Sequence, residues 1–170
     1  MKLQKALLAA SLVITIFSCK KDQTKDINQA DWDFIQSMSY RNSGEVDLSS
    51  LARNKANADT VKGFATKLNV DHQSAKDDLQ YLANLKGVSI SSTDTTYPHL
   101  KNELTATSGR AFDSTFLHIE STNQQALIDL MQNEITNGHD QNIMSYTNSY
   151  LPLIRKHKQT ADSIIAALNY

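Results

Sequence analysis

The sequence predicts an all-α protein, a four-helix bundle whose second and third helices are joined by a long crossover with a short extra helix. Four long segments repeat apolar residues at the helical intervals of three and four. The 170 residues include only five glycines and two prolines, and the β-branched residues do not cluster into alternating runs. The connections between the four segments are short, long and short in turn, as in two antiparallel hairpins joined by one crossover.

The first two helices form the first predicted hairpin. Helix 1 is expected from about Ala30 to Lys55, and Asn57-Ala58-Asp59 ends it and caps the next helix. Helix 2 is expected from about Thr60 to Lys86 and stops at Gly87, since glycine readily adopts the left-handed backbone of a helix end. The short connection makes these helices antiparallel neighbours.

The last two helices form the second predicted hairpin. Helix 3 is expected to begin after Ser108-Gly109 and to end at Asn137-Gly138. Helix 4 is expected to start behind Asp140 as its N-cap and to continue to about Leu168. Pro152 removes one backbone hydrogen bond inside helix 4, so we expect a kink there.

The crossover between helices 2 and 3 runs from Val88 to Ser108. Its first part, VSISSTDTT, has an extended pattern, and Pro98 is expected to open a short helix through about Thr105. The segment is long enough to span a neighbouring helix, about 40 Å at 1.5 Å per residue. This predicts the ferritin-like arrangement of a four-helix bundle; the alternative is a simple up-down bundle with an elaborated loop.

One polar residue interrupts the apolar stripe of each main helix, near its middle: Glu45, His72, Asn123 and His157. Four interruptions at a similar depth predict a single polar layer in the core. A buried glutamate is costly unless it is paired or coordinated. Glu45, His72 and His157 could therefore hold one divalent metal ion, and this donor set suits zinc, iron, copper or manganese. Three nearby polar residues are expected to support these ligands: Asn123, Asp71 and Glu120.

The alternative needs no metal. Glu45 could pair with a protonated His72 or His157, and Asn123 could complete a hydrogen-bonded network. Such a network can fix the register of the helices without doing chemistry.

Several classes of function lack support in the sequence. It has no glycine-rich phosphate loop, no Ser-His-Asp ordering and no Cys-x-x-Cys pair, which argues against a hydrolase or a thiol redox enzyme. The formal net charge is −1 and no basic patch stands out, which argues against nucleic acid as a partner.

The N-terminus has the pattern of a secretory signal peptide in residues 1–18. Lys2 and Lys5 precede an apolar run of about 12 residues, shorter than the roughly 20 residues that a membrane-spanning helix needs. Ile16-Phe17-Ser18-Cys19 resembles a bacterial lipobox, in which the cysteine is acylated and becomes the mature N-terminus. The alternative is an ordinary cleavage site beside an incidental cysteine.

Acylation of Cys19, the only cysteine, would anchor the protein in a membrane. Residues 19–30 are polar and aperiodic and are expected to form a flexible tether ahead of a bundle domain at 31–170. Lys20, rather than the aspartate of inner-membrane retention, follows the cysteine, which favours the outer membrane, facing the periplasm or the cell surface.

From about Trp32 to Leu168 the chain resembles a family of ferritin-like bacterial envelope proteins, a domain of unknown function also described as a predicted outer membrane protein. Four stretches carry the resemblance: Gly44-Glu45-Val46, Ala65 to Asp71-His72, Gly109-Arg110-Ala111-Phe112-Asp113, and Leu151-Pro152-Leu153 followed by His157. The resemblance implies a ferritin-like four-helix fold and an exported, often lipid-anchored protein without an established reaction.

The resemblance also indicates which metal chemistry this chain can support. Family members often have a histidine at the position of Asn123, so this chain has a poorer metal ligand there. It also lacks the two glutamates and two Glu-x-x-His pairs of di-iron bundles. The sequence therefore favours binding, of a metal ion or an envelope protein partner, over turnover. The alternatives are a metal-free structural or interaction module and, third, a ferritin-like oxidoreductase.

Overall fold

The computed structural model describes residues 27–91 and 95–170, which contain five helices and no strand. The predicted signal peptide, Cys19 and the tether up to residue 26 lie outside the described residues. The helices are α1 (Gln29–Lys55), α2 (Asp59–Lys86), α3 (Thr96–Ala106), α4 (Gly109–Asn137) and α5 (Gln141–Leu168). The all-α class and the short helix in the crossover are confirmed. Helix α1 begins at Gln29, one residue before the predicted start at about Ala30 and inside the stretch assigned to the tether.

Local sequence explains where the helices begin and end. At the start of α1, the Asn28 side chain accepts from the Asp31 N–H at 2.9 Å, and the Asp31 carboxylate accepts from the Asn28 N–H at 2.7 Å. This reciprocal capping box satisfies two backbone donors that a helix start leaves unpaired. At the end of α2, Gly87 has a φ of 66°, in the left-handed region that glycine adopts without strain. Helix α5 continues through Pro152, whose side chain is exposed.

Contacts at the two ends of the bundle give the directions of its helices. Asp31 in the first turn of α1 accepts from the backbone N–H groups of His139 and Asp140, between α4 and α5. At the other end, Asp113 in the first turns of α4 accepts from the N–H groups of Asn57 and Ala58, between α1 and α2. Helices α1 and α4 are therefore antiparallel neighbours.

Helix α2 packs beside α5. Lys86 at the end of α2 pairs with Asp140 just before α5, at 2.5 Å, so these two helices are also antiparallel. Helices α1 and α5 thus run one way, and α2 and α4 the other. The connection from residue 87 to residue 108 must cross the full length of the bundle, and it carries α3 along α1 and α4.

The apolar core consists of two clusters. One surrounds Phe34, Leu79 and Met131, and the other surrounds Leu68 and Phe116. Burying one such side chain stabilises the fold by about 1.5–3 kcal/mol, so the two clusters hold the helices firmly on both sides of the polar layer between them. Within the described residues, no helix has the length and apolar character needed to cross a membrane.

Candidate functional site

The polar layer lies in the middle of the bundle and is closed to solvent. Glu45 and His72 are 0% exposed, and His157 is 2% exposed. Asn123 is 9% exposed and is the member of the layer nearest to the surface. The four residues that interrupt the apolar stripes therefore do share one depth, but the structure arranges them as two linked groups.

Three donors surround the carboxylate of Glu45. The Tyr97 hydroxyl donates to Oε1 at 2.7 Å, and the Asn123 amide donates to the same oxygen at 3.0 Å. The amide of Gln124 donates to Oε2 at 3.2 Å. Hydrogen bonds to an ionised carboxylate are the strong ones, so this cage favours a charged Glu45 in spite of its burial.

The crossover helix α3 supplies Tyr97 through a close approach to α1 at Gly44. A Cβ atom at position 44 would lie 2.0 Å from Cγ of the Tyr97 ring, so only glycine leaves room for the ring. The Tyr97 N–H also donates to the Tyr40 hydroxyl at 3.0 Å, and the two rings meet edge to face. Gly44 and Tyr40 therefore position the hydroxyl that holds Glu45.

The side-chain nitrogen of Gln124 marks the centre of the layer. It lies 3.2 Å from Glu45 Oε2, 3.3 Å from Glu120 Oε2 and 3.3 Å from His72 Nε2. An amide nitrogen carries two hydrogens and cannot satisfy three acceptors at once. The Gln124 carbonyl oxygen and Glu120 Oε1 are buried and have no hydrogen-bond partner in the described residues. Three potential metal ligands thus converge on a point where the protein places an amide.

A chain of hydrogen bonds assigns the tautomer of His72. Its Nδ1 donates to Asn42 Oδ1 at 3.0 Å, the Asn42 amide donates to the Tyr146 hydroxyl at 3.1 Å, and that hydroxyl donates to the Ala75 carbonyl at 3.0 Å. Burial lowers the pKa of His72 to about 3, and the neighbouring His157 acts in the same direction. His72 is therefore a neutral imidazole whose Nε2 lone pair faces the centre, the form in which histidine binds metals.

Glu45 and Glu120 form a buried carboxyl pair. Burial raises the pKa of Glu45, while Glu120 and the donors around Glu45 oppose that shift. Burial also raises the pKa of Glu120 well above its usual range, and the charge of Glu45 raises it further. Two adjacent buried carboxyls do not ionise together, so the pair keeps one proton at neutral pH, and that proton belongs on Glu120.

His157 belongs to the second group. Its Nε2 donates to Asp71 Oδ2 at 2.8 Å, and Lys67 donates to the other oxygen of Asp71 at 2.6 Å. Burial lowers the pKa of His157 although Asp71 opposes the shift, so the ring is neutral at neutral pH. Its Nδ1 is buried without a partner, and the ring centroid lies 5.4 Å from that of His72. His157 is thus next to the centre but does not face Gln124.

The residues named from the sequence are therefore distributed unevenly. Glu45, His72, Asn123 and Glu120 meet in the central group, and Asp71 lies with His157. Within the described residues, no group of three or more His, Cys, Asp or Glu side chains is placed closely enough to hold a metal ion, because the Gln124 amide separates the candidates. Three side chains of the layer are not among the residues predicted from the sequence: Asn42, Tyr97 and Gln124.

A signal for one of the missed residues was present. Glu120 and Gln124 are four residues apart on one helix, a spacing that places both on the same face. Nothing in the sequence pattern indicates Tyr97, because it reaches the layer from the crossover.

A surface groove of about 440 Å³ lies between α3 and α4 and leads to the layer. Leu100 and Glu103 of α3 line it together with His118 and Asn123 of α4. Because Asn123 also contacts Glu45, one side chain separates the groove from the buried carboxylate.

The sequence model of a domain of unknown function, DUF4142, matches residues 18–164. This chain belongs to the DUF4142 family. No curated protein matches the chain significantly in sequence. The description of the DUF4142 family assigns no function, so the polar layer is a candidate site by its geometry alone.

Three solved structures have a similar fold. A DUF305 fragment from Deinococcus radiodurans has a TM-score of 0.75 at 10% identity, covering 82% of this chain and 97% of the fragment. A DUF305 protein from Streptomyces coelicolor, described as secreted, has a TM-score of 0.72 at 12% identity, with coverages of 81% and 93%. CopM in its Cu(I)-bound form has a TM-score of 0.69 at 15% identity, with coverages of 81% and 96%. At these identities the similarity establishes a shared helical fold for this DUF4142 domain.

Proposed function

We propose that this DUF4142 protein is a lipid-anchored binding protein of the cell envelope that holds one divalent metal ion in the core of a ferritin-like bundle. Two antiparallel hairpins joined by a connection as long as the bundle support the ferritin-like assignment. The family carries no established reaction, and the features of this chain favour binding over turnover.

The observation that carries the proposal is the convergence on Gln124 Nε2. Two carboxylate oxygens and one imidazole nitrogen lie 3.2–3.3 Å from that atom. Zinc, iron and manganese accept this mixed donor set, with ligand distances of about 2.0–2.2 Å. The ligands would be Glu45, His72 and Glu120, with Glu120 losing its proton as the metal binds. Movement of the Gln124 amide out of the centre would open the site, and His157 is the nearest further ligand.

Two further facts support a metal. The buried Gln124 carbonyl oxygen and His157 Nδ1 have no hydrogen-bond partner in the described residues, so the layer's own hydrogen bonds do not satisfy it fully. In addition, one structure with a similar fold, CopM, is a Cu(I)-bound protein, so a helical bundle of this fold can hold a metal, although Cu(I) is monovalent and the site proposed here takes a divalent ion.

The proposal predicts opposite effects of two substitutions. Gln124→Ala removes the amide from the centre and should raise metal affinity about tenfold or more, equivalent to at least about 1.4 kcal/mol. Glu120→Gln is isosteric with the neutral acid but removes a ligand, so it should weaken binding at least as much. Calorimetric titration of the untagged domain with zinc, iron(II), copper and manganese measures both effects.

The matched control is Gln125→Ala, one residue along α4 on the exposed face, where the side chain donates to Asp129. It should bind metal as the wild type does. The melting temperature supplies a second readout, because a ligand that binds only the folded state raises it. Absence of bound metal from both the wild type and Gln124→Ala, with unchanged melting in all four metals, would refute the metal site.

A metal-free structural or interaction module is the second candidate, and one observation favours it. Both oxygens of Glu45 already accept hydrogen bonds from protein donors, so the carboxylate is satisfied without a metal. In that case, Glu120→Gln leaves capture of an envelope protein partner intact and none of the substitutions changes a response to metals.

The anchor has a separate test. Acylation of Cys19 predicts that the protein incorporates labelled palmitate and sediments with membranes. Cys19→Ser should abolish the label and release the protein into the soluble envelope fraction. Label retained in Cys19→Ser would contradict the lipobox interpretation.

A further inference from the structure

Exposed apolar side chains are concentrated at one end of the bundle. We define the tether end as residues 27–36, 79–91 and 130–145, which meet through the contacts of Asn28 with Asn137, Gln36 with Ser89, and Lys86 with Asp140. Of the five exposed large apolar residues among the described residues, four lie at this end: Trp32 (44% exposed), Tyr81 (68%), Leu85 (37%) and Ile135 (40%). The fifth, Val70, lies midway along α2.

The tether end also presents almost no charge to solvent. Its exposed acidic and basic side chains are Asp33 and His139, and the exposed Asp77, Asp78 and Asp129 lie just beyond its limits. Its other ionisable acidic and basic side chains are all buried: Asp31, Lys86, Glu134 and Asp140. The opposite end, formed by residues 48–66, 98–117 and 160–170, exposes six charged side chains: Arg53, Asp59, Lys101, Glu103, Arg110 and Asp162. Removing a charged side chain from water costs free energy. Burying the tether end in a contact therefore costs less than burying the opposite end.

The chain enters the bundle at this same end. Helix α1 starts at Gln29, ten residues after Cys19, and ten residues span at most about 35 Å. Helix α2 has 28 residues and is therefore about 42 Å long. An acyl anchor at Cys19 would hold the tether end near the bilayer, where a short linker gives a surface contact a high effective concentration.

We propose that the tether end docks on the surface of a lipid bilayer, with Trp32 and Tyr81 at the level of the lipid headgroups and Leu85 and Ile135 against the acyl chains beneath. Aromatic rings with a polar atom favour this interface, and scattered apolar side chains strengthen an anchor that is already lipidated. The docking rests on the proposed acylation of Cys19. It orients the bundle upright, with the opposite, charged end, which includes most of α3, directed away from the membrane.

Trp32 allows a direct test because it is the only tryptophan of the chain. The acylated full-length protein is reconstituted into vesicles of phosphatidylethanolamine and phosphatidylglycerol, with and without brominated lipids. Docking predicts that Trp32 emission shifts to shorter wavelength and that brominated lipids quench it strongly. The matched control is the double variant Trp32→Phe/Val70→Trp, which places the probe on the exposed middle of α2 and should be quenched several-fold less.

Each outcome of the quenching experiment either supports or overturns the docking of the tether end on a bilayer. Strong quenching of Trp32 with weak quenching of the probe at position 70 supports docking. Equal quenching of the two probes overturns the upright orientation. If the Trp32 emission shift depends on the protein-to-lipid ratio and brominated lipids do not quench it, the surface binds a second copy of the chain. That result overturns the proposal that the partner is a lipid bilayer. Mass spectrometry of the same sample separates failure of the docking from failure of the lipid anchor. If Cys19 is acylated and Trp32 is not quenched, docking alone is refuted. If Cys19 is not acylated, the anchor and the docking are refuted together.

Discussion

Gly44→Ala is expected to destabilise the protein by about 2–4 kcal/mol, although alanine is normally the better residue inside a helix. The new methyl group would lie 2.0 Å from Cγ of Tyr97, the ring atom nearest the backbone of α3. The Tyr97 ring cannot rotate away easily, because it is 4% exposed and its backbone N–H is bound to the Tyr40 hydroxyl. The clash must therefore move α3, and the Tyr97 hydroxyl then leaves Glu45.

The chain offers a matched control in Gly63→Ala, also in the interior of a helix. Position 63 has no atom within 4 Å of an added Cβ, so helix propensity alone should stabilise this variant by about 0.5–1 kcal/mol. Urea unfolding followed by circular dichroism measures both changes. Tyr97→Phe, which keeps the ring and removes the hydroxyl, reports the hydrogen bond to Glu45 by itself. Equal stabilisation by the two glycine substitutions would contradict the proposed packing of α3.

The fold was predictable because its signals are local. Periodicity gave the long helices, while Gly87 and Asp140 marked two of their ends within a residue or two. Even the helix in the crossover followed from Pro98 and the length of the segment. These signals depend on backbone preferences that the chain carries wherever it is placed.

The site was less predictable because its geometry depends on how the helices are rotated against one another. The stripes correctly placed Glu45 and His72 in one layer. They could not show that His157 turns towards Asp71, or that Gln124 lies between the candidate ligands. The spacing of apolar residues could not indicate Tyr97, because a long-range contact at Gly44 brings it to Glu45.

A buried carboxyl group at the tether end, outside the polar layer, connects stability to pH. Glu134 of α4 is 0% exposed, and neither of its oxygens has a hydrogen-bond donor with a fixed proton among the described residues. It faces Asp31 of α1, and Asp140 lies nearby in an ion pair with Lys86 of α2. Burial acts to raise the pKa of Asp31, but the N–H donors of Asn28, Asp140 and His139 outweigh it and hold that pKa below its usual value. Asp31 is therefore charged.

The consequence is a protonated Glu134 that donates to Asp31. Burial, followed by the hydrogen bond to Asp31 and the charges of Asp31 and Asp140, raises the pKa of Glu134 from 4.5 to about 8. Between pH 4.5 and about 8, Glu134 keeps its proton in the folded protein, whereas the unfolded chain has released it. The stability contributed by this proton is complete below pH 4.5 and is lost as the pH rises through about 8, with a slope of up to about 1.4 kcal/mol per pH unit.

Glu134→Gln is expected to remove this dependence, because the glutamine amide donates to Asp31 as the neutral acid does but cannot ionise. The variant should match the wild type within about 1 kcal/mol near pH 5 and should exceed its stability by several kcal/mol at pH 8. Unfolding free energies measured across this range for both proteins isolate Glu134, since the other titrating groups are common to them. Glu103→Gln, on an exposed face of α3, should follow the wild-type profile. Parallel profiles for the wild type and Glu134→Gln would show that Glu134 is ionised in the folded state, and the tether end would then bury a cluster of charges against a single lysine.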